Sequence, residues 1–206
     1  MKRNFPATDI SSAVMSLLPR RRESIAAIAL CLIIGQSRWA LATASTEIAL
    51  PIELASTLPA VELVGKGKLT FFGLEVYESS LWATPSFKGL AFENHNFALE
   101  LHYLRSFTAI DIAKRSIEEM QRIEPVPDQK VALWIKTLSE AFPNVKKGDR
   151  IVGVHKPGFG VTFWHNGKRS GEIKDADFSR QFFGIWLSPK TSEPKLRQAL
   201  LGKVNL

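Results

Sequence analysis

Residues 97–107, FALELHYLRSF, alternate. Phe97, Leu99, Leu101 and Tyr103 fall on one side, and Glu100, His102 and Leu104 mostly on the other. A period of two is that of a half-buried strand, so one face of a sheet must be covered by apolar side chains. At Thr108 the period changes. Asp111 follows as a variant of the capping box. Ile112, Ser116, Ile117 and Met120 then share one helical face. Pro125 and Pro127 stop that helix. A second stripe of Val131, Trp134, Ile135, Leu138 and Phe142 predicts a helix from about Asp128 to Phe142, with Pro143-Asn144 and Gly148-Asp149 marking its exit. A strand that feeds into two successive amphipathic helices calls for helices packed on a sheet.

The flanks agree with this. Glu47–Ala60 reads as an extended lead-in, because Pro51 and Pro59 interrupt any helix. Val61–Phe72 predicts a strand whose Gly65 and Gly67 imply a bulge or a close approach. Leu74–Ala83 predicts a second strand and Thr84–Asn96 a loop. Further on, Ile151–His155 and Gly158–His165 read as strands, and Asn166-Gly167 is the favoured two-residue turn into Lys168–Lys174. Asp175 is placed to cap a helix through Trp186, with Phe178, Phe182, Ile185 and Trp186 inward. Thr191 or Ser192 is placed to cap a last helix ending at Gly202. Strands, helices, a hairpin and helices again make an α+β pattern, not a regular βαβ alternation.

The first 44 residues stand apart. Arg20, Arg21 and Arg22 precede the apolar run Ile25–Gly35, and Ala40-Leu41-Ala42 or Ala42-Thr43-Ala44 supplies small residues for a cut. Basic, apolar, small is the order of an export signal. The alternative is an uncleaved anchor helix, which would have to pass Arg38 and lengthen a run well short of the ~20 residues a span needs. Met15 offers a second start. The pair Arg21-Arg22 lacks the apolar residues of a twin-arginine signal, and Leu30 before Cys31 does not suit lipidation. A periplasmic domain delivered by a general signal is the expectation, with contact to the membrane only through that leader.

The leader also carries most of the charge. It holds six of the 27 basic residues and two of the 20 acidic ones, hence +4 of the net +7. The remaining chain is close to balanced, which removes the electrostatic case for nucleic acid. Cys31 is the single cysteine, so residues 45–206 have no disulfide, thiolate metal site or cysteine nucleophile. Gly65-Lys66-Gly67-Lys68-Leu69-Thr70 resembles a phosphate loop only superficially, since Leu69 stands where Ser or Thr is needed. His95, His102, His155 and His165 show no metal-ligand spacing. No GxSxG elbow occurs. Phe71, Phe72, Tyr77, Trp82, Phe97, Tyr103, Phe159, Phe163, Trp164, Phe178, Phe182, Phe183 and Trp186 either fill the core or line an apolar pocket.

Four runs, LVGKGKLTFFGLEVYESSLWA (63–83), FALELHYLRSF (97–107), FPNVKKGDRIVGVHKPGFGVTFWHNGK (142–168) and DFSRQFFGIWLSPKTSEPKLRQALLG (177–202), resemble the bacterial chalcone isomerase-like proteins. The resemblance covers nearly all of residues 45–206, in order. It implies an open-faced β-sandwich: an antiparallel sheet covered by helices, with a ligand cleft between them. Plant enzymes of the superfamily close a chalcone into a flavanone by adding a phenolate to an enone. Non-catalytic relatives bind fatty acids and anchor the carboxylate with an arginine on the first long strand.

Position by position, the resemblance makes Lys68 the counterpart of that arginine, a charge without the planar fork. Tyr77 stands where the plant enzymes have a catalytic threonine. Arg105 matches the arginine that follows their catalytic tyrosine, but Leu104 occupies the tyrosine's place. Tyr103, one residue away, would then face the other side of the strand. Their catalytic asparagine has no counterpart in IAKRSIEEM (112–120).

The implied binding set is Lys68, Tyr77, Tyr103 and Arg105, with no metal or cofactor. The leading expectation is an exported non-catalytic binding protein for an apolar or amphipathic, fatty-acid-like molecule. The alternatives are an intramolecular lyase acting on a chalcone-like conjugated substrate, and a structural or interaction protein of the envelope.

Overall fold

The computed structural model describes residues 49–202. The leader, its cut after Ala42 or Ala44, Met15 and Cys31 lie outside the described residues. Six strands form one antiparallel sheet: β1 (Glu62–Phe71), β2 (Leu74–Ala83), β3 (Phe97–Tyr103), β4 (Arg150–Lys156), β5 (Gly160–His165) and β6 (Lys168–Ile173). Each strand pairs with its neighbour in sequence, so the sheet is a meander. Helices α2 (Ala109–Ile123) and α3 (Asp128–Ala141) are inserted between β3 and β4, and α4 (Ala176–Leu187) and α5 (Pro194–Leu201) follow β6. The α+β expectation holds.

Register fixes which side chains meet the helices. Leu69 lies opposite Tyr77 and Tyr77 opposite Tyr103. Leu81, Leu99, Gly153 and Phe163 make a second row on the same face. This inner face packs on Ile117, Met120, Leu138, Phe178, Phe182 and Phe183 in one continuous core. Phe142 meets Phe163 edge-on, with ring centroids 4.7 Å apart. Burying rings of this size stabilises the fold by about 1.5–3 kcal/mol each. Most of the aromatic surplus is therefore core. His155 belongs to it too, with Nδ1 2.7 Å from the Ser179 hydroxyl and Nε2 3.1 Å from the Glu93 carbonyl.

Local signals explain the helix ends. The Thr108 hydroxyl accepts from the Asp111 amide at 3.2 Å, and Asp175 accepts from the Phe178 amide at 3.0 Å. Both caps are as expected. The last helix differs. Its N-cap is Glu193, with Pro194 in the first turn. Thr191 and Ser192 are spent elsewhere: Thr191 Oγ1 accepts from the Glu193 amide at 3.1 Å, and the Ser192 hydroxyl donates to Glu119 at 2.7 Å. The glycines of β1 serve a close approach. A Cβ on Gly65 would run into the Ala199 carbonyl oxygen of α5, and one on Gly67 would lie 2.5 Å from Leu196 Cδ1.

The lead-in is not extended throughout. Residues Ile52–Thr57 form α1. Pro51 sits at its N-cap and Pro59 lies beyond its end, so neither proline breaks it. Leu54, Leu58 and Val61 cover part of the outer face of the sheet, against Trp82, Ala98, Val152 and Val154. Arg150 reaches Glu53 at 3.1 Å and Glu100 at 3.4 Å, which ties α1 to the sheet. Beside it on that face lie the paired Lys68, Glu78, His102 and Arg150. The Thr84–Asn96 loop contains a 3-10 segment, Gly89–Asn94. No helix of the described residues is long and apolar enough to cross a membrane.

Candidate functional site

The inner face is not filled at its β1–β3 end. Between β1, β2 and β3 and helices α2 and α4 lies a cavity of about 390 Å³. Its walls are mostly apolar, among them Leu69, Phe71, Leu101, Phe107, Phe182 and Ile185. That volume lies within the ~300–1,000 Å³ typical of small-molecule sites.

Tyr77 and Tyr103 both project into it, with ring centroids 6.1 Å apart. The Tyr77 hydroxyl accepts a hydrogen bond from Trp186 Nε1 at 2.9 Å, and its own proton is left to donate. The Tyr103 hydroxyl makes no hydrogen bond among the described residues. Burial raises both phenols above their usual range, so both are neutral donors at any ordinary pH.

The remaining polar lining comes from α2 and from the segment leading into α5: Asp111, Arg115, Ser116, Glu119, Ser192 and Glu193. Glu119 is largely buried, its side chain 9% exposed. Arg115 is 56% exposed and is held by both Glu119 and Glu118. Phe71 is half in and half out: it lines the cavity yet is 53% exposed at the tip of the β1–β2 hairpin. Its neighbour Phe72 is 89% exposed and meets it edge-on at 4.5 Å.

Two of the four expected binding residues are therefore in the cavity and two are not. Lys68 precedes Leu69, which lines the cavity, so by strand alternation it points to the outer face. There it pairs with Glu75 at 2.7 Å and Glu78 at 3.4 Å. Arg105 is exposed in the turn after β3 and does not line the cavity. Tyr103 corrects the position-by-position carry-over. The phenol at position 103, not residue 104, faces the inner side.

Asp111, Arg115 and Glu119 were not expected. Their i, i+4 spacing reads in sequence as a solvated ion-pair face. Only the packing of β1 and the α5 lead over that face turns it into a cavity wall. Among the described residues no group of three or more His, Cys, Asp or Glu side chains could hold a metal ion.

A sequence-family model described as chalcone isomerase-like matches residues 42–202. The chain belongs to the chalcone isomerase-like family. A Haemophilus influenzae protein, described only as uncharacterized, is 26% identical over 141 residues, which is 68% of this chain and 67% of that protein. Among solved structures, an Arabidopsis thaliana fatty-acid binding protein superposes with a TM-score of 0.53 at 12% identity, covering 69% of this chain and 87% of the plant chain. At that identity the likeness is one of fold. The chalcone isomerase-like fold thus brings two tyrosines into an apolar cavity here, while the basic residues matched through the same resemblance stay outside it.

Proposed function

We propose that the chain is an exported binding protein that holds an apolar or amphipathic small molecule in the cavity between β1–β3 and α2/α4. The observation that carries this is the lining: apolar walls around two neutral phenols, Tyr77 and Tyr103, neither of whose hydroxyls donates to another described residue. A pocket with few, fixed polar groups orients a ligand without binding it through charge. The fatty-acid binding named for the plant structural neighbour supports a long, lipid-like ligand. The signal-like leader supports export.

An isomerase of chalcone-like substrates has less support. That chemistry calls for a cation to favour the phenolate and donors for the enolate. Tyr77 and Tyr103 are suitable donors. Lys68 faces away, however, and Arg115 is already neutralised by two glutamates.

Native mass spectrometry of the protein purified from its own cells is the test. A co-purifying lipid-like mass, together with cell fractionation that finds the chain outside the cytoplasm, is the expected result. Protein that emerges empty and leaves the dye Nile red dark would end the binding proposal. A rate of chalcone loss above buffer would replace it with the isomerase.

A further inference from the structure

We infer that the ligand of this cavity carries an uncharged, hydrogen-bond-accepting head group, such as an ester, ketone, amide or alcohol, and not a free carboxylate. This deepens the binding proposal and rests on it.

The cavity lining contains three carboxylates, Asp111, Glu119 and Glu193, against one guanidinium, Arg115. The guanidinium is committed. One NH group of Arg115 lies against Glu118 at 3.2 Å and the other against Glu119. Glu119 in turn takes the Ser192 hydroxyl at 2.7 Å. A ligand carboxylate entering here would meet an excess of like charge, and Arg115 could pair with it only by loosening its hold on the exposed Glu118 or on the largely buried Glu119. Uncompensated charge of that kind is strongly disfavoured where water is scarce.

The other basic residues offer no relief: Lys114 and Arg122 on α2 do not line the cavity, and Arg122 lies 3.9 Å from Glu119. Lys68 is on the outer face with Glu75 and Glu78, and Arg105 is in the solvent-exposed turn after β3.

The donors complete the case. Tyr103 has no partner among the described residues, and Tyr77 accepts from Trp186 while retaining its own proton. Two phenols lining one space, each with a proton free to donate, ask for an acceptor. An ester or ketone oxygen has two lone pairs and no charge, and so satisfies both without meeting the acidic wall.

The test compares three compounds built on a ten-carbon chain as displacers of bound Nile red at pH 8: methyl decanoate, decanoate and decylamine. Methyl decanoate should displace the dye at least ten-fold more effectively than decanoate. In Glu193→Gln, whose carboxylate makes no hydrogen bond among the described residues, the gap should narrow because decanoate improves. Lowering the pH towards 5 should also improve decanoic acid while leaving the ester unchanged.

Decanoate equal to or better than the ester overturns the inference, as does decylamine better than both. The first would show that Arg115 is free to pair, and the second that the acids themselves recognise the head group. No displacement by any of the three, with Nile red bound, also overturns it. Failure of Nile red to bind takes down the binding proposal itself, and the inference with it.

Discussion

Trp186 on α4 donates its indole N–H to the Tyr77 hydroxyl on β2 at 2.9 Å. The bond joins a helix to the sheet across the wall of the cavity, and Tyr103, the neighbouring phenol, has no comparable partner. The same substitution at the two tyrosines should therefore have different effects. Tyr77→Phe leaves a buried indole N–H without an acceptor, which costs about 1–3 kcal/mol. For a domain of this size that is a fall of ~2–4 °C in Tm per kcal/mol. Tyr103→Phe removes a hydroxyl that bonds nothing, and should stay within about 0.5 kcal/mol of wild type. Both should weaken binding of methyl decanoate. Thermal melts run beside dye displacement separate the two effects. Equal losses of Tm would contradict the assignment.

The tip of the β1–β2 hairpin stores strain. Phe72 has φ 47° and Gly73 φ 76°, a pair of left-handed residues of the kind that favours Asn-Gly. A bulky L-residue in that region costs about 1–2 kcal/mol. Phe72 is almost fully exposed, so little packing offsets the cost. Phe72→Asn should raise the urea midpoint without changing the m-value. A lower midpoint would mean that the edge contact with Phe71 outweighs the strain.

The strands, caps and core of this fold were legible because they rest on short-range chemistry. Alternation in Phe97–Tyr103 gave the buried face, and Thr108 and Asp175 gave two helix starts. The helix Ile52–Thr57 was not legible, since two prolines read as breakers until their positions relative to its ends are known. The cavity was half legible. Tyr77 and Tyr103 could be named, but Lys68 differs from Leu69 by one step of a strand, and that step decides inner from outer face. Arg115 and Glu119 looked like a solvated pair because nothing local says that β1 and Ser192 lie over them.

The close approach of β1 to α5 predicts a contrast between two glycines. A Cβ on Gly65 strikes the Ala199 backbone carbonyl, which cannot move without shifting the helix. A Cβ on Gly67 strikes the end of the Leu196 side chain, which can change rotamer. Gly65→Ala should cost at least ~1–3 kcal/mol, the usual range for overpacking, and Gly67→Ala less. Hydrogen exchange should speed up in Pro194–Leu201 for the first variant. Protected α5 amides in Gly65→Ala would show that the helix tolerates the methyl group.

Arg150 predicts how α1 is held. Its guanidinium lies between Glu53, whose side chain is 2% exposed, and Glu100, 12% exposed. Glu100 also accepts from Trp82 Nε1 at 3.1 Å. Arg150→Met strands two acids, one of them fully buried, and should cost about 3–5 kcal/mol. Adding Glu53→Gln should recover part of the loss, because the charge left behind is then gone. If the double variant is as unstable as the sum of the singles, the two residues do not act as a pair.

Acid should destabilise the domain in two stages. Burial among Phe97, Phe183 and Ser179 holds His155 below its ordinary value of 6.5. The unfolded chain therefore binds a proton first, and stability that is complete above pH ~6.5 declines as pH falls towards the folded-state value. The second stage belongs to carboxylates held by cations or hydrogen bonds, Asp177 the most strongly shifted among them. The Lys130 ammonium beside Asp177, with help from Arg180, lowers its carboxyl to about 2 from an ordinary 3.8. Its contribution is present above pH ~4 and is lost as pH falls through about 2. Because Asp177 is well exposed, solvent keeps its share small. A plot of Tm against pH should thus be level above neutrality, slope downward from about 6.5, and steepen below about 4. In His155→Gln the upper slope should disappear while the lower one remains, and Asp177→Asn should lessen the lower slope, which Glu124, Asp149 and Glu172 share, while leaving the upper one. A wild-type Tm that is level from pH 7 to pH 5 would mean that His155 takes up its proton in place, with the Glu93 carbonyl as partner.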